Sequence, residues 1–524
     1  MSTPFKNALV SVSDKTGLVE FLKPLVAGGL RVVSTGGTLK HLQENGIPAL
    51  DISEQTGFPE VMGGRVKTLH PRVHMALLSR EGHAEDASLL KDEGLAPFDL
   101  LIVNLYPFEA AKEKGVEGDD LIEFIDIGGP SMLRSAAKNH ARLTVICDPQ
   151  DYEWVRSKTN GTTLEDRRLL AAKVFSHTSR YDDLIARSLS SEVESWNGLN
   201  GRLVTELRYG ENPHQKASWY RDPMARSGLH EAQILHGKPL SYNNLLDLDA
   251  ACAAVTEFRN PAAVAVKHNN PCGVGTGVDP SSMGGGSVAV AVRRAIAADP
   301  VSVFGGIIAF NRKVDFAAAE AMASIFLECV IAPGFDADAL ERLKVKKDLR
   351  ILSWPGLLDH RPNRQFRTIA GGYLVQTADR TNDWMETWKI MGPAASGAAG
   401  PSIPNSVKTD LLLAWKVCAH LRSNAIAIVN EGSTVGLGMG QVNRVDAVEQ
   451  AIARMRKHHP NTVGPVVLAS DAFFPFADSM ELIAEAGIRW VIQPGGSIRD
   501  SEVLSRAEAL GISTVLTGTR HFRH

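Results

Sequence analysis

Short apolar segments of strand length alternate with segments of helical spacing along most of the chain, and this alternation limits the possible folds more than any other feature. In the N-terminal part, the apolar segments Leu9–Val12, Leu30–Ser34, Asp99–Asn104 and Leu143–Cys147 are separated by helical patterns such as Pro130–Asn139. Strands that alternate with helices form parallel sheets with helices on their faces. We therefore expect an α/β domain that binds its ligands where the strands end.

A domain boundary is predicted at Ser195–Gly201, a Gly- and Asn-rich stretch without periodicity. We expect a first domain over residues 1–197. The second domain, residues 198–524, should contain two subdomains of about 198–370 and 371–524, because strand and helix patterns alternate again in both.

Two further features concern the organisation of the second domain. Arg350–Ser406 lacks the alternation and contains several Pro, Gly and Trp, so it predicts irregular connecting structure. The apolar segments Ala263–Val266 and Ala425–Val429 resemble each other, but one match does not establish a duplication.

The composition excludes several classes of protein. With 524 residues, 44% of them hydrophobic and 22% charged, the chain is typical of globular proteins with more than one core. The net charge is -3 and no long Lys/Arg block occurs, so we expect no nucleic-acid partner. No apolar run approaches the roughly 20 residues of a membrane helix, and the N-terminus lacks the pattern of a secretion signal. The five cysteines form no CxxC pair, which indicates reduced thiols in the cytoplasm and no structural zinc.

The segment Ala263–Gly277, AVAVKHNNPCGVGTG, is typical of a buried strand that leads into an active-site loop. Lys267 and His268 follow the apolar run, and the glycines after them would let the backbone approach a ligand. A core histidine beside a solvent-reaching lysine explains this segment equally well. Cys272 is a candidate nucleophile in the same loop.

Polar residues also follow the predicted N-terminal strands. Gly-rich turns that begin helices suit a phosphate, although neither a Walker loop nor a GxGxxG motif is present. Cations in GGRVKTLH suit an oxyanion, and a Lys, a Tyr and an Asp near one strand end could move protons. Each residue alone is more typical of a surface or capping position. The candidates are Ser13, Asp14, Lys15, Thr35, Gly36, Gly37, Thr38, Arg65, Lys67, His70, Thr68, Asn104, Tyr106, Asp126 and Lys138.

Three less specific segments lie in the second half. GLGMGQVNR at Gly436–Arg444 is a weak phosphate-loop signal, since it lacks a closing glycine. RYGENPHQ, which begins at Arg208, is either a loop that binds a planar ligand or a loop that only connects two elements. The three Phe of Ser470–Asp478, SDAFFPFAD, favour a core position, although the flanking acids would suit a heteroaromatic ligand.

Taken together and in order, SVSDKTGL, STGGT, GGRVKTLHP, NLYPF, DIGGP, RSAAKNH, LRYGENPHQ, VKHNNPCG, SDAFFPF and TRHF resemble one family over essentially the whole chain. It is the bifunctional purine-biosynthesis family that joins phosphoribosylaminoimidazolecarboxamide (AICAR) formyltransferase to inosine monophosphate (IMP) cyclohydrolase. The resemblance implies a methylglyoxal-synthase-like parallel-sheet domain followed by two cytidine-deaminase-like α/β subdomains. It also implies formyl transfer from 10-formyltetrahydrofolate to AICAR, and then dehydrative closure of formyl-AICAR to IMP.

The resemblance assigns roles to particular residues. In the first domain, Lys138 would transfer the proton of ring closure, with Lys67, Tyr106 and Asp126 as further catalytic residues. The nucleotide contacts would be Ser13, Asp14, Lys15, Thr35, Gly36, Gly37, Thr38, Arg65, Lys67, Thr68, Asn104, Leu105 and Asp126.

In the second domain, the resemblance makes His268 the base of formyl transfer, while Lys267 and Asn424 stabilise charge on the formyl oxygen. No covalent intermediate is then needed, so Cys272 loses its role as a nucleophile. AICAR contacts would be Arg208, Tyr209, His268, Gly305, Glu328, Asn424 and Arg444. Folate contacts would be Val445, Asp478, Ser497, Ile498 and Arg520.

Two departures from the family pattern bear on these contacts. Glu328 stands where vertebrate members have Asp, and the loop PGGSIRD replaces PSGSAAD at Ile498 and Arg499. The resemblance further implies a homodimer, and no metal is expected to be required for the chemistry, since the deaminase zinc triad is lacking. The alternatives are a transformylase whose N-terminal domain only binds nucleotide, and a non-catalytic nucleotide-binding regulator.

Overall fold

The computed structural model describes residues 3–62, 66–189, 200–222, 225, 227–277, 287–359, 364–381, 385–395 and 402–524. The chain forms two compact units. The first unit comprises Met1–Arg202 and Asp222–Arg226, and the second comprises Leu203–Arg221 and Ser227–His524. The predicted boundary between residues 197 and 198 lies outside the described residues.

The first unit is a five-stranded sheet in the order β3-β2-β1-β4-β5, and all four pairings are parallel. The two central strands are apolar and buried on both faces, as the alternation predicts. Its strands are β1 (Asn7–Val12), β2 (Arg31–Ser34), β3 (Leu50–Asp51), β4 (Leu100–Asn104) and β5 (Thr144–Ile146). Its helices are α1 (Leu18–Ala27), α2 (Gly36–Glu44), α3 (Ile52–Thr56), α4 (Pro71–Leu78), α5 (Ala84–Asp92), α6 (Phe108–Glu113), α7 (Gly118–Ile122), α8 (Gly128–Lys138), α9 (Tyr152–Arg156) and α10 (Leu164–Leu189).

The second unit contains a twelve-stranded mixed sheet and two separate hairpins. The hairpins pair β6 (Arg202–Leu207) with β7 (Ala217–Arg221), and β14 (Arg364–Ile369) with β15 (Gly372–Thr377). The large sheet has the order β16-β21-β20-β19-β17-β18-β10-β9-β11-β12-β13-β8. Its strands are β8 (Gln233–His236), β9 (Ala262–Lys267), β10 (Asn270–Thr276), β11 (Ile307–Phe310), β12 (Cys329–Ala332), β13 (Arg350–Ser353), β16 (Lys389–Met391), β17 (Ile426–Asn430), β18 (Ser433–Gly438), β19 (Val467–Ser470), β20 (Trp490–Gln493) and β21 (Ser513–Leu516). The helices are α11 (Tyr242–Val255), α12 (Ser287–Ala298), α13 (Pro300–Val303), α14 (Phe316–Ala321), α15 (Ala337–Lys344), α16 (Asn405–Ala419), α17 (Arg444–His458), α18 (Asp478–Glu485) and α19 (Asp500–Ala509).

This large sheet consists of two copies of one six-stranded pattern. In the first copy, β9 pairs with β10 and β11 in antiparallel fashion, β12 and β13 continue in parallel, and β8 closes the edge in antiparallel fashion. In the second copy, β17, β18, β19, β20, β21 and β16 repeat every pairing in the same order and sense. The copies meet where β10 pairs with β18. The duplication that one sequence match could not establish is therefore present.

Gly273 and Gly275 of the predicted active-site loop pack against a helix. Asn270–Thr276 is strand β10, and a Cβ on Gly275 would overlap the carbonyl oxygen of Ala291 in α12. Likewise, a Cβ on Gly438 would overlap the carbonyl oxygen of Ala447 in α17. Gly273 and Gly436 make the equivalent close approaches, so the weak phosphate-loop signal of GLGMG reflects strand–helix packing.

The prediction of irregular structure over Arg350–Ser406 is also wrong, because β13, β14, β15 and β16 lie in it. The period-two pattern of the β14–β15 hairpin was missed because almost all its residues are exposed, so no apolar face marks it. The predicted subdomain boundary after residue 370 falls in the turn of this hairpin.

In the described part of the chain, no helix is both long and apolar enough to cross a membrane. All five cysteines are buried free thiols.

Candidate active sites

The polar residues that follow β1, β2 and β4 meet at the carboxyl edge of the first sheet. Asn104 joins two of these loops, since its Oδ1 accepts the N–H groups of Ser13 at 2.7 Å and Asp14 at 2.9 Å. Its Nδ2 donates to the carbonyl of Asp14 at 2.8 Å. Thr38 is fastened to the end of β1 through both backbone groups of Val12. The Ser13 and Thr38 segments thus lie at the same edge of the sheet.

Two lysines contribute positive charge to this edge. Lys67 Nζ lies where a side chain of Gly36 would be, 2.7 Å from an ideal Cβ, so the glycine makes room for the cation beside the start of α2. Glu60 pairs with this ammonium group. Lys15 donates to the carbonyl of Ser13 at 3.3 Å. A cation beside backbone N–H groups at a helix start is an arrangement that binds phosphate.

Asp126 and Tyr106 are the titratable pair of this edge. Asp126 Oδ1 accepts the N–H of Gly129 at 2.7 Å, at the start of α8. Burial raises the pKa of Asp126, and hydrogen bonds from the backbone of Gly129 and Tyr106 offset part of that shift. The half-exposed Tyr106 also has a raised pKa, first through burial and then through the carboxylates of Asp126 and Glu60.

Thr68 and Leu105 pack against the same helix start. A Cβ on Gly128 would lie 2.5 Å from Thr68 Oγ1, and one on Gly129 would lie 2.8 Å from Leu105 Cδ2. The first turn of α8 therefore approaches both residues closely because Gly128 and Gly129 have no side chains.

One predicted residue of the first unit, Lys138, does not join this edge. Lys138 is the last residue of α8, whose first residue lies beside Asp126. The helix rise of 1.5 Å per residue separates its two ends by roughly 15 Å, more than a lysine side chain spans. Lys138 is therefore at the opposite end of the sheet. Arg65 lies outside the described residues.

A surface cavity of about 350 Å³ adjoins Asp126. Apart from two aspartates its lining is apolar, and includes Ile127, Ile185 and Leu189. None of the residues that follow β1 or β2 lines it, and of the residues placed above at the polar edge only Asp126 does.

In the second unit, strand direction gathers most predicted site residues at one edge. The strands β9, β18, β19, β20 and β21 end at this edge, whereas β10, β11, β12, β13 and β17 begin there. The residues placed there are Lys267, His268, Gly305, Glu328, Asn424, Arg444, Val445, Asp478, Ser497, Ile498 and Arg520.

Lys267 is the last residue of β9, and His268 with Asn269 forms the turn to β10. Lys267 Nζ donates to the carbonyl of Phe304 at 2.8 Å, which places the ammonium group beside Gly305. His268 is exposed and adopts a left-handed backbone conformation with φ of 54°. Asn270 links this turn to the second copy, because its Oδ1 accepts the N–H of Arg422 at 3.2 Å.

Asn424 and Arg444 are held by a buried carboxylate. Arg444 Nη2 donates to Asn424 Oδ1 at 2.8 Å, and its Nη1 donates to Asp471 Oδ1 at 2.5 Å. Asp471 is fully buried and also accepts from Ser423 Oγ and the N–H of Ala425. The guanidinium group of Arg444 therefore fixes the orientation of the Asn424 amide.

The predicted folate residues follow β18 to β21. Ile498 is completely exposed, and the neighbouring Arg499 stacks over the half-exposed ring of Phe476. Arg520 stacks over Phe522, 4.4 Å from the ring centre. Ser497 begins a turn closed by Asp500. Exposed rings and an exposed isoleucine beside arginines suit a flat aromatic ligand with carboxylates.

The remaining AICAR candidates differ in position. Glu328 forms an ion pair with Arg350, 2.7 Å from Nη1, so its carboxylate already has a partner at the edge. Arg208 and Tyr209 follow β6, outside the large sheet, and stack on each other. Their segment reaches α11, where Asn243 donates to the carbonyl of Glu211.

Burial disfavours Cys272 as a nucleophile. Its thiol lies in β10, and burial raises its pKa to about 12, which leaves almost no thiolate at neutral pH. Among the described residues, no group of three or more His, Cys, Asp or Glu side chains could hold a metal ion.

Sequence reasoning missed Asp247 and Asp471. Asp471 is the first acid of SDAFFPF, but the three Phe dominated the interpretation of that motif. Asp247 lies inside a helical pattern, where an acid is typical of a solvated face. Neither position carries a local signal of its partner, because each contact spans many residues of sequence.

Known proteins resemble this chain over its full length. The family described as "AICARFT/IMPCHase bienzyme" matches residues 136–454, and "MGS-like domain" matches residues 17–131. The "Bifunctional purine biosynthesis protein PurH" of Bacillus mycoides is 48% identical over 99% of this chain and 100% of its own length. The proteins of the same name from Persephonella marina and Bacillus thuringiensis are 45% and 48% identical over the same shares. The chain belongs to the AICARFT/IMPCHase bienzyme family.

Membership in the bienzyme family confirms the resemblance found in the motifs, and with it a bifunctional enzyme of purine biosynthesis. The MGS-like match confirms the predicted fold of the first domain. The cytidine-deaminase-like character of the second unit stays a prediction, as do the roles of individual site residues.

Proposed function

We propose that this chain carries out both steps itself, formyl transfer from 10-formyltetrahydrofolate to AICAR in the second unit and closure of formyl-AICAR to IMP in the first. The observation that carries the proposal is the presence of two separate polar edges, one on each sheet. Each edge has a titratable group and fixed hydrogen-bond donors. A transformylase with a merely nucleotide-binding N-terminal unit would not need the Asp126–Tyr106 pair.

In formyl transfer, the 5-amino group of AICAR attacks the formyl carbon of the folate. His268 accepts the proton of this poorly nucleophilic amine, and Lys267 with Asn424 stabilises the oxyanion. The bond from the formyl carbon to N10 then breaks, and N10 takes up a proton. The buried Asp471–Arg444 pair supports this assignment, because it holds the Asn424 amide in one orientation.

In ring closure, the carboxamide nitrogen attacks the formyl carbon and water leaves. We assign oxyanion stabilisation to Lys67, and proton transfer to Asp126 and Tyr106. The raised pKa of Asp126 suits a group that gives and takes a proton. Lys138 has no part in this assignment because it lies at the other end of α8.

The remaining substrate contacts are those that the family resemblance implies. The nucleotide phosphate would lie by Lys15, Gly36 and Gly37, with Ser13, Asp14, Thr35, Thr38, Thr68, Asn104 and Leu105 around the nucleotide. Reduced folate would lie by Val445, Asp478, Ser497, Ile498 and Arg520. For AICAR we retain Arg208, Tyr209, Gly305, Glu328 and Arg444.

We also propose that the protein is a cytoplasmic homodimer. The β14–β15 hairpin exposes Phe366, Ile369 and Leu374, and an isolated two-stranded hairpin is only marginally stable in water. A second copy would cover these side chains. Light scattering of the purified protein tests this assembly, and a monomeric mass would contradict it.

One assay tests the proposed function. Purified protein supplied with AICAR and 10-formyltetrahydrofolate should form IMP, and accumulation of formyl-AICAR alone would contradict the cyclohydrolase activity. His268→Ala should abolish formyl transfer and leave closure of supplied formyl-AICAR near normal. Loss of both activities in that variant would show that the two sites are not chemically independent.

A further inference from the structure

The turn that carries His268 has an unusual backbone that one helix residue holds in place. His268 and Asn269 both have left-handed conformations, with φ of 54° and 61°. Asn and His adopt such conformations more often than most residues with a side chain, but at a higher cost than glycine. Asp247 in α11 opposes this cost, because its Oδ2 accepts the N–H of His268 at 3.3 Å and its Oδ1 accepts the N–H of Asn269 at 2.5 Å.

The second copy of the repeat contains the same device at the opposite edge of the sheet. There Asp410 of α16 accepts the N–H groups of Glu431 and Gly432, each at 2.8 Å. These two residues are also left-handed, with φ of 48° and 76°. A carboxylate that holds two successive N–H groups of the hairpin turn is thus a property of the repeated fold.

The two turns differ in the side chains at their equivalent positions. The first has Lys267 and His268, whereas the equivalent positions of the second are Asn430 and Glu431. Asn430 is committed to its own loop, donating to the carbonyls of Val463 and Pro465. The same backbone support therefore holds candidate catalytic residues only in the first copy.

We propose that Asp247 is a positioning residue of formyl transfer, which fixes the backbone of His268 and so aims the imidazole at the amine of AICAR. This inference rests on the proposed function of the second unit. The carboxylate acts through the turn, and its two oxygens hold consecutive N–H groups, so the His268 backbone cannot rotate without losing both bonds.

The start of α11 gives this helix a second contact with the site. Asn243, one turn before Asp247, donates to the carbonyl of Glu211 in the segment that carries Arg208 and Tyr209. The helix therefore connects two segments predicted to contact AICAR.

The repeat supplies a matched control. Asp247→Asn and Asp410→Asn each replace one accepting oxygen by an NH2 group that faces a backbone N–H, so they should lower the unfolding temperature by similar amounts. Asp247→Asn should also lower kcat of formyl transfer by at least about tenfold, with KM for AICAR changed less than about threefold, since small misplacements of a reacting group are costly. Asp410→Asn should leave both constants within about twofold.

A double variant separates positioning from stability. The second copy has Gly432 at the position of Asn269, and glycine adopts positive φ without strain. Adding Asn269→Gly to Asp247→Asn should therefore restore the unfolding temperature while kcat stays low, because the freed turn no longer aims His268.

Three outcomes decide the inference. Equal losses of formyl transfer in Asp247→Asn and Asp410→Asn would overturn it, as would recovery of kcat together with stability in the double variant. A kcat for Asp247→Asn within twofold of the parent would also overturn it. A parent protein without formyl transfer would instead contradict the proposed function, and closure of formyl-AICAR measured on every sample shows that the first unit is intact.

Discussion

Lys67 and Lys138 show how far the position of a single residue decides its role. Both belong to motifs that resemble the bienzyme family, yet only Lys67 lies at the carboxyl edge, with its Nζ beside Gly36. We predict that Lys67→Ala lowers kcat of ring closure by about 100-fold or more, because it removes the charge next to the developing oxyanion. Lys138→Ala should change it by less than about threefold. Absorbance growth on supplied formyl-AICAR measures both, and equal losses would return Lys138 to the mechanism.

The residue equivalent to Asp471 in the first copy is uncharged, which shows what the Asp471 backbone contact requires apart from the charge. Asn311 occupies the equivalent position and accepts the N–H of Ala262, as Asp471 accepts that of Ala425. Asp471→Asn should therefore keep the backbone bond but leave the buried Arg444 without a carboxylate partner, at a cost of about 3 kcal/mol in the free energy of unfolding. Urea titration measures it. Glu320→Gln, which breaks the exposed pair with Arg342, should lower the urea midpoint far less, and a similar decrease for both changes would contradict the argument.

At the scale of elements, alternating glycines allow a helix to pack closely against each of the hairpins β9–β10 and β17–β18. Gly275 and Gly438 lie under the backbone of α12 and α17, where a methyl group has no room. We predict that Gly275→Ala and Gly438→Ala each lower the free energy of unfolding by about 2 kcal/mol, since the helix must move away. Gly372→Ala is the control, because nothing lies within 4 Å of its added Cβ. Denaturant midpoints that shift equally in all three variants would refute this role.

These elements also mark what the sequence could and could not predict. Buried strands such as β4 and β9 were predictable because apolar residues of suitable length form them. The hairpins β9–β10 and β17–β18 were not, since glycines beside polar residues have the same pattern in a ligand loop and in a strand under a helix. The site residues were found through motif order, whereas Asp247 and Asp471 act across long sequence separations that no local pattern records.

For the whole molecule, the proposal places the two steps on different units. We predict that an equimolar mixture of Lys67→Ala and His268→Ala forms IMP from AICAR and 10-formyltetrahydrofolate, because each variant keeps the step that the other lacks. The double variant carrying both changes in one chain should form neither product. Chromatography of the nucleotides measures this, and a mixture that stops at formyl-AICAR would show that the intermediate does not reach a second molecule.

The duplication also escaped sequence reasoning for a physical reason. Ala263–Lys267 and Ile426–Asn430 occupy equivalent positions, yet a sheet accepts any apolar residue of suitable size there. Backbone pairing preserved the topology while the side chains diverged.

The seam between β10 and β18 has a consequence for synthesis on the ribosome. Every other strand pairing of the large sheet lies within one copy, so the first copy, ending with β13, can close before the second has been translated. Asn424 and Arg444 emerge only later. A nascent chain can thus form one face of the first copy, whose buried apolar cluster contains residues 263–351 alone, before the proposed transformylase site is complete, whereas the other face packs in one cluster with residues of the second copy.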